Sequence, residues 1–268
     1  MQPSTVLLSQ ALILVVDTET TGIDTANDRI VELGAAYFQG GRRQRLHRML
    51  VNPGIPIPPA ASAVHGISDA QVADEPDFSV VGARLLPHLT GAASGGAAPV
   101  IAGYNAVSYD AAILNAEFAR HGIAHHIEPE RIVDPMVFMK WHHRDLRGRK
   151  LTEASEFYGV SLTNAHTAAA DAQATGELLY KMVTAGTMPD DLETCLAQQA
   201  KFKAQVDAEY AEWRSWLYRD RTDGSLRIGA GKHVGVKPES VDPGYYRFVL
   251  EKMDDLPTAV REVFGRFA

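Results

Sequence analysis

The stretch ALILVVDTETTG, residues 11–22, carries six apolar residues, Ala11 to Val16, straight into Asp17 and Glu19. An unbroken apolar run rich in branched side chains predicts a strand buried on both faces. Asp17 and Glu19 are two apart, so in extended backbone they leave the same face. Two anions side by side at the edge of a core demand a cation, because an unpaired buried charge is expensive. Hard divalent ions prefer such oxygen ligands. On this stretch alone a plain strand end followed by a Thr-Thr-Gly turn stands equally open.

Outward from that strand, 29–41 (RIVELGAAYFQGG) predicts a second strand closed by a Gly-Gly turn, and 42–51 (RRQRLHRMLV) a third. Arg42, Arg43, Arg45 and Arg48 make the third strand strongly basic. That charge suits an edge strand guarded against pairing as well as one facing phosphates. Four prolines between 52 and 63 predict an irregular segment, which leads to Val64-His65-Gly66-Ile67-Ser68, with Ser68 placed to cap a short helix.

Residues 77–89 predict a helix and 91–99 a surface loop. VIAGYNAVSYD (100–110) repeats the opening logic, an apolar strand leading to an acid, Asp110, ahead of a helix that Gly122 stops. Taken alone, Asp110 reads as that helix's cap. Residues 131–141 read as a strand ending near Asp134 and a helix opened by Pro135, 142–150 as a basic loop, and 150–160 as a short helix. From Thr167 the chain is alanine-rich and helical. His166 and Asp171 are five apart, roughly 140° around one helix, so they converge only if His166 sits on the loop before it.

Bulk composition narrows the class. With 268 residues and 46% hydrophobic content the chain can bury a full core. A net charge of −7 does not describe a general nucleic-acid binder but allows acids clustered at a metal site and basics along a groove. The single Cys195 permits no internal disulfide, which fits a reducing compartment. The N-terminus lacks a basic n-region, and Ser9 and Gln10 interrupt its apolar residues. A signal peptide and a membrane span are therefore not expected, and the localisation expected is cytoplasmic. GAGKHVG (229–235) lacks the spacing of a phosphate-cradling loop.

Together, the acids resolve the ambiguity that each has alone. VVDTETTG, GYNAVSYD and AHTAAAD, in that order, resemble the three motifs of the DEDDh (DnaQ-like) family of 3′–5′ exonucleases. Tyr104 departs from the histidine that many members carry there, while AVHGIS is similar to a segment between the first two motifs. The resemblance covers residues 10–185 and implies an α/β ribonuclease H-like fold, a mixed five-stranded sheet flanked by helices. It implies an exonuclease domain over 1–186, leaving 187–268 as a mainly helical extension of unknown function.

By the same resemblance, Asp17, Glu19, Asp110 and Asp171 would be the metal ligands, holding two Mg²⁺ or Mn²⁺ ions, with His166 as general base. Such ions clamp the attacking and leaving oxygens of an in-line displacement, and an imidazole suits a base near neutral pH. Thr18, Thr20 and His65 would bind substrate. The implied activity is release of nucleoside 5′-monophosphates from the free 3′ end of a single strand, DNA rather than RNA, with no membrane partner. RNA trimming of the oligoribonuclease type is the enzymatic alternative, and a non-catalytic binding subunit of the same fold the other. All five residues being present argues against the last.

In the extension, Leu192, Cys195, Leu196, Phe202, Val206, Tyr210, Trp213, Trp216 and Leu217 fall on one helical stripe. The stripe, residues 190–217, is expected to be buried on the main domain, on a second copy in a homodimer, or on a protein partner.

Overall fold

A computed structural model of the chain describes residues 5–143, 149–163, 165–220, 222–253 and 256–268, without the side chains of 212, 213 and 215. It divides into two compact units, residues 1–202 and 203–268. The expected basic loop at 142–150 lies largely outside the described residues.

The first unit is built on β1 (Ile13–Thr20), β2 (Ile30–Gln39), β3 (Arg42–Leu50) and β4 (Val100–Ala102). The sheet order is β3-β2-β1-β4, with β1 antiparallel to β2 and parallel to β4. The expected fifth strand is a single parallel bridge between Ala102 and Val133. It goes no further because Asp134 turns the chain into a helix and caps it by accepting from the Met136 N–H at 3.0 Å. Gly40 and Gly41, both at positive φ, make the two-residue turn between β2 and β3.

Six helices follow β3 in turn: α1 (Pro59–His65), α2 (Asp69–Val72), α3 (Phe78–Leu89), α4 (Asp110–Arg120), α5 (Pro135–His142) and α6 (Leu151–Tyr158). After these, α7 (Ala168–Thr184) packs on the sheet and α8 (Leu192–Trp216) runs on from it. One expectation needs correction: α1 begins inside the proline-rich segment. Pro59 sits at its first turn, where a missing N–H costs no hydrogen bond.

The inner strands β1 and β2 are buried on both faces, as the apolar run of β1 requires. Ile13 and Val15 pack with α5, α6 and α7 residues, whereas Leu14 and Val16 pack with α3 and α4. This alternation carries forward along the strand, so Asp17 and Glu19 emerge toward α7 and Thr18 and Thr20 toward α4.

Close packing of α7 depends on two glycines. A Cβ on Gly34 would lie 2.1 Å from the Ala168 carbonyl oxygen, and one on Gly176 2.1 Å from the Phe38 ring. Glycine at each contact lets helix and sheet approach at backbone distance.

The stripe of α8 is only partly buried. Leu192, Cys195 and Leu196 join the first unit's core, whereas Tyr210 is 51% exposed in the single chain. The Trp213 side chain lies outside those described. The second unit contains a hairpin of β5 (Leu217–Arg219) and β6 (Leu226–Ile228), then α9 (Pro243–Lys252) and α10 (Thr258–Gly265). Its small core gathers Leu217, Ile228, Tyr246, Val260 and Phe264. No helix among the described residues is long and apolar enough to cross a membrane.

Candidate metal centre

At the end of β1, Asp17, Glu19 and Asp171 each offer a carboxylate oxygen within 4.8 Å of the others. Two come from one strand, and the third from the first turn of α7, which Gly34 admits onto β2. Asp110 is not in that group. Its helix α4 packs on the opposite face, and its Oδ1 accepts a 2.7 Å hydrogen bond from the Thr18 hydroxyl. Nor is it the cap of α4: that position is Tyr109, and Asp110 is the first helical residue.

Electrostatics mark the cluster as short of positive charge. Burial, then the charges of Asp110, Asp171 and Glu19, holds the Asp17 carboxyl well above its ordinary range. Glu19 is pushed up to about 8 by burial, then by Asp171, Glu32 and Asp110. Asp110 rises to about 7 through burial, with the Thr18 hydrogen bond opposing. Asp171 is also raised by burial, against the pull of the His166 backbone.

Two other buried acids show how this chain neutralises a structural carboxylate. Glu117 pairs with Arg29 and Arg120, and Glu32 with Arg48. Among the described residues no such cation reaches Asp17, Glu19 or Asp171, and Asp171 Oδ1 is buried without a hydrogen-bond partner. An unpaired, oxygen-only donor set of this kind fits a hard divalent cation.

His166 lies on the loop before α7, the position from which convergence with Asp171 is possible. It is exposed, it adopts φ 69°, and its backbone N–H donates to Asp171 Oδ2 at 3.3 Å. Histidine is among the residues that tolerate this left-handed conformation.

The three residues expected to bind substrate surround the same strand end. The Thr18 hydroxyl is committed to Asp110, and the Thr20 hydroxyl donates to the Gly22 carbonyl at 2.7 Å. His65 is buried at the end of α1. Its Nδ1 accepts from the Ile67 N–H at 3.0 Å, which places the ring proton on Nε2, an atom buried without a partner.

Further residues, to which the sequence reading gave no functional role, shape the site. The Tyr109 hydroxyl donates to the Gly22 carbonyl at 2.6 Å and lies 2.6 Å from the Thr20 hydroxyl, tying the end of β1 to the start of α4. Buried Asp134 accepts from the N–H groups of Asn105 (2.9 Å) and Val107 (3.2 Å), bracing the loop that delivers Asp110. Gln199 of α8 braces Asp134 in turn, accepting from its N–H at 2.7 Å. Tyr104, at the position that departs from the family pattern, donates its hydroxyl to the Arg149 carbonyl at 2.7 Å. Glu32 left a signal in sequence that was not used: an acid inside the apolar run IVELGAAYF, the same anomaly as Asp17.

Known proteins share this arrangement of strands and helices. The exonuclease family typified by RNase T matches residues 14–179. A PolC-type DNA polymerase III from Caldanaerobacter subterraneus is 30% identical over 170 residues, 63% of this chain and 11% of that protein. A DNA polymerase III subunit epsilon-like protein of Rhodobacter capsulatus is 44% identical over 88 residues, 32% of this chain and 12% of the relative. The chain thus spans about a ninth of the length of these relatives. Among solved structures, E. coli exonuclease I with a dA16 oligonucleotide superposes at TM-score 0.53 and 20% identity, covering 65% of this chain and 41% of that one. A second exonuclease I structure gives TM-score 0.57 at 18% identity, covering 92% and 61%. At such identities the likeness is one of fold: a ribonuclease H-like exonuclease.

Proposed function

The chain belongs to the RNase T exonuclease family, and from that premise we propose that it is a metal-dependent 3′–5′ exonuclease. Its substrate is a nucleic-acid strand with a free 3′ end, DNA in the first instance because the polymerase relatives are DNA enzymes by name. Its products are nucleoside 5′-monophosphates and a strand shortened by one residue. The observation that carries this reading is the set of Asp17, Glu19 and Asp171 carboxylates within 4.8 Å, with no cation of the described residues to pair them.

Asp17, Glu19 and Asp171 would hold the divalent ions, Mg²⁺ or Mn²⁺, with Asp110 completing the anionic cradle from the α4 side. Ions bound there supply Lewis-acid charge to the phosphoryl oxygens and lower the pKa of a bound water. His166 takes the proton of the attacking water, and its exposed ring passes that proton to solvent. Its backbone N–H meanwhile keeps Asp171 turned toward the other two acids. Thr18, Thr20 and His65 border the terminal nucleotide. Because both threonine hydroxyls are already engaged, their contact falls to methyl and main-chain groups. The His65 ring, buried against the Thr20 backbone, would hold this strand end in place beneath the nucleotide.

Digestion of matched strands labelled at either end, as DNA and as RNA, with and without Mg²⁺, tests this. A 3′ label should leave at once as a mononucleotide, a 5′ label should remain on a shortening ladder, and EDTA should stop both. Release of the 5′ label first, or full activity in EDTA, overturns the reading. Faster digestion of the RNA strand would move the enzyme to the RNA-trimming alternative.

A further inference from the structure

Strand β3 is the edge of the sheet and is mostly exposed, with Leu46, Met49 and Leu50 half-buried. Between residues 40 and 51 it carries four arginines and one histidine and no acid, in a chain whose acids exceed its bases by seven. Among the described residues, Arg42, Arg43 and Arg45 have no ion-pair partner. Arg48 is different. Its Nε and Nη2 donate to the two oxygens of buried Glu32 at 2.9 and 3.1 Å, yet half the side chain remains exposed.

Register ties this strand to the acid cluster. Asp17 pairs with Gly34 and Gly34 with Arg48, so the three form one row across the sheet. Since the row shares a face, Arg48 projects on the same side as Asp17. Arg43 pairs with Phe38, four residues along β2 from Gly34, which places it on that face roughly 13 Å farther from the acids. Arg42 and Arg45 face the other way but stand on the same open edge.

We propose that β3 is the contact surface for the phosphate backbone of the substrate strand upstream of its 3′ end, with Arg42, Arg43, Arg45 and Arg48 as its row of cations. The proposal rests on the exonuclease reading above and extends it from the reacting end to the body of the strand. Edge guarding explains positive charge but not the uniform choice of arginine, since lysine is the commoner guard of an edge. Uniform choice of arginine matches a phosphate surface, because its planar fork donates bidentately and cannot lose its charge. Glu32 fixes the Arg48 guanidinium at the end nearest the acids, Arg43 continues that face away from them, and Arg42 and Arg45 line the open edge from its other face. An anion of extended shape, with regularly spaced charges, is the ligand that such a row complements.

Charge reversal separates the two roles of this strand. The triple variant Arg42→Glu/Arg43→Glu/Arg45→Glu keeps the edge charged, so guarding survives while phosphate binding does not. The probes are a dinucleotide, too short to reach from the acids to these arginines, and an oligodeoxythymidylate of about 16 nucleotides, the upper end of single-strand site sizes. For the longer probe, KM should rise at least tenfold in the variant. The slope of log affinity against log salt, measured in EDTA, should flatten by about 2, at roughly 0.7 for each phosphate no longer neutralised. Cleavage of the dinucleotide should match the wild type.

If the variant handles both lengths as the wild type does, β3 is only a guarded edge and the proposal is overturned. A loss on the dinucleotide equal to that on the longer strand also overturns it, since the residues would then be supporting the site itself. If the wild type cleaves neither probe with Mg²⁺, the exonuclease reading fails. Salt-dependent binding of the longer strand in EDTA, abolished in the variant, would still uphold the arginine surface in that case.

Discussion

The Thr18 hydroxyl donates to Oδ1 of Asp110 at 2.7 Å, joining two residues 92 apart in the chain. Thr18 leaves the face of β1 opposite to Asp17 and Glu19, so one strand holds two acids directly and a third through its other side. Hydrogen bonding to a carboxylate favours the charged form, and here it opposes the burial that pushes Asp110 up to about 7. Thr18→Val keeps the shape and removes the donor. Losing a hydrogen bond to a charged group costs about 1.5–3 kcal/mol. Calorimetric titration with Mn²⁺ at neutral pH should therefore show affinity weakened about tenfold or more, with far-UV circular dichroism unchanged.

Gly34 lies in the cross-strand row between Asp17 and Arg48, and a Cβ there would meet the Ala168 carbonyl at 2.1 Å. Backbone cannot give way as a flexible side chain does, so Gly34→Ala should lift the start of α7, which carries Asp171. Overpacking typically costs about 1–3 kcal/mol. We expect a lower Tm and a metal affinity reduced beyond what the stability loss explains, since the displaced segment holds a ligand. An unchanged Mn²⁺ titration in a folded Gly34→Ala protein would disconnect α7 placement from metal binding.

At His166, φ is 69°, and this decides how the general-base assignment is best tested. His166→Ala removes the imidazole but also places alanine in the left-handed region, at a cost of roughly 1–2 kcal/mol. Asparagine tolerates that conformation and keeps the backbone N–H that holds Asp171. In single-turnover cleavage His166→Asn should lose roughly 10²–10⁴-fold in rate while binding metal as the wild type does. Asp17→Ala should lose metal and activity together. Wild-type cleavage by His166→Asn near neutral pH would remove the histidine from proton transfer.

The raised carboxyls predict how the metal-free protein responds to pH. Glu19 moves from an ordinary value of 4.5 to about 8, so across that window the folded state keeps a proton that the unfolded chain has released. Stability contributed this way is fully present below about pH 4.5 and is lost as pH rises through 8. Asp17, Asp110 and Asp171 are raised and act in the same direction. Without metal, Tm should fall as pH climbs through this range; Mg²⁺ should offset the fall, and Glu19→Gln should flatten it. A metal-free Tm that climbs steadily toward pH 8 would contradict the sign of these shifts.

The apolar run into Asp17 and Glu19, the Gly-Gly turn after β2 and the alanine-rich α7 were legible because each is local. Backbone periodicity, turn geometry and helix propensity act over a few residues, and the motifs lie inside such segments. Helix geometry also set the condition for His166 to meet Asp171, a loop position before α7, and that is where it lies. Local reading also erred locally. Proline at the first turn of α1 begins a helix as readily as it ends regular structure. The apolar spacing of α8 marks a face but not what covers it: Leu192, Cys195 and Leu196 enter the first unit's core, while Tyr210 is exposed in the single chain.

Sequence alone picked out the residues proposed to carry the chemistry: acids at a strand end and in the first turns of helices, in an order and spacing that resembles one family. Tertiary structure decided how each is held. Asp171 meets Asp17 because Gly34 lets α7 settle on β2, and Asp110 is bound through Thr18 from the opposite face. Asp134 steadies the Asn105 loop across an intervening helix, and Arg48, not an ion, neutralises Glu32. Every one of these pairings joins segments whose adjacency is set by strand order and register. A carboxylate's charge state depends on what stands within a few ångströms of it, and the unfolded chain leaves that distance open until the sheet has formed.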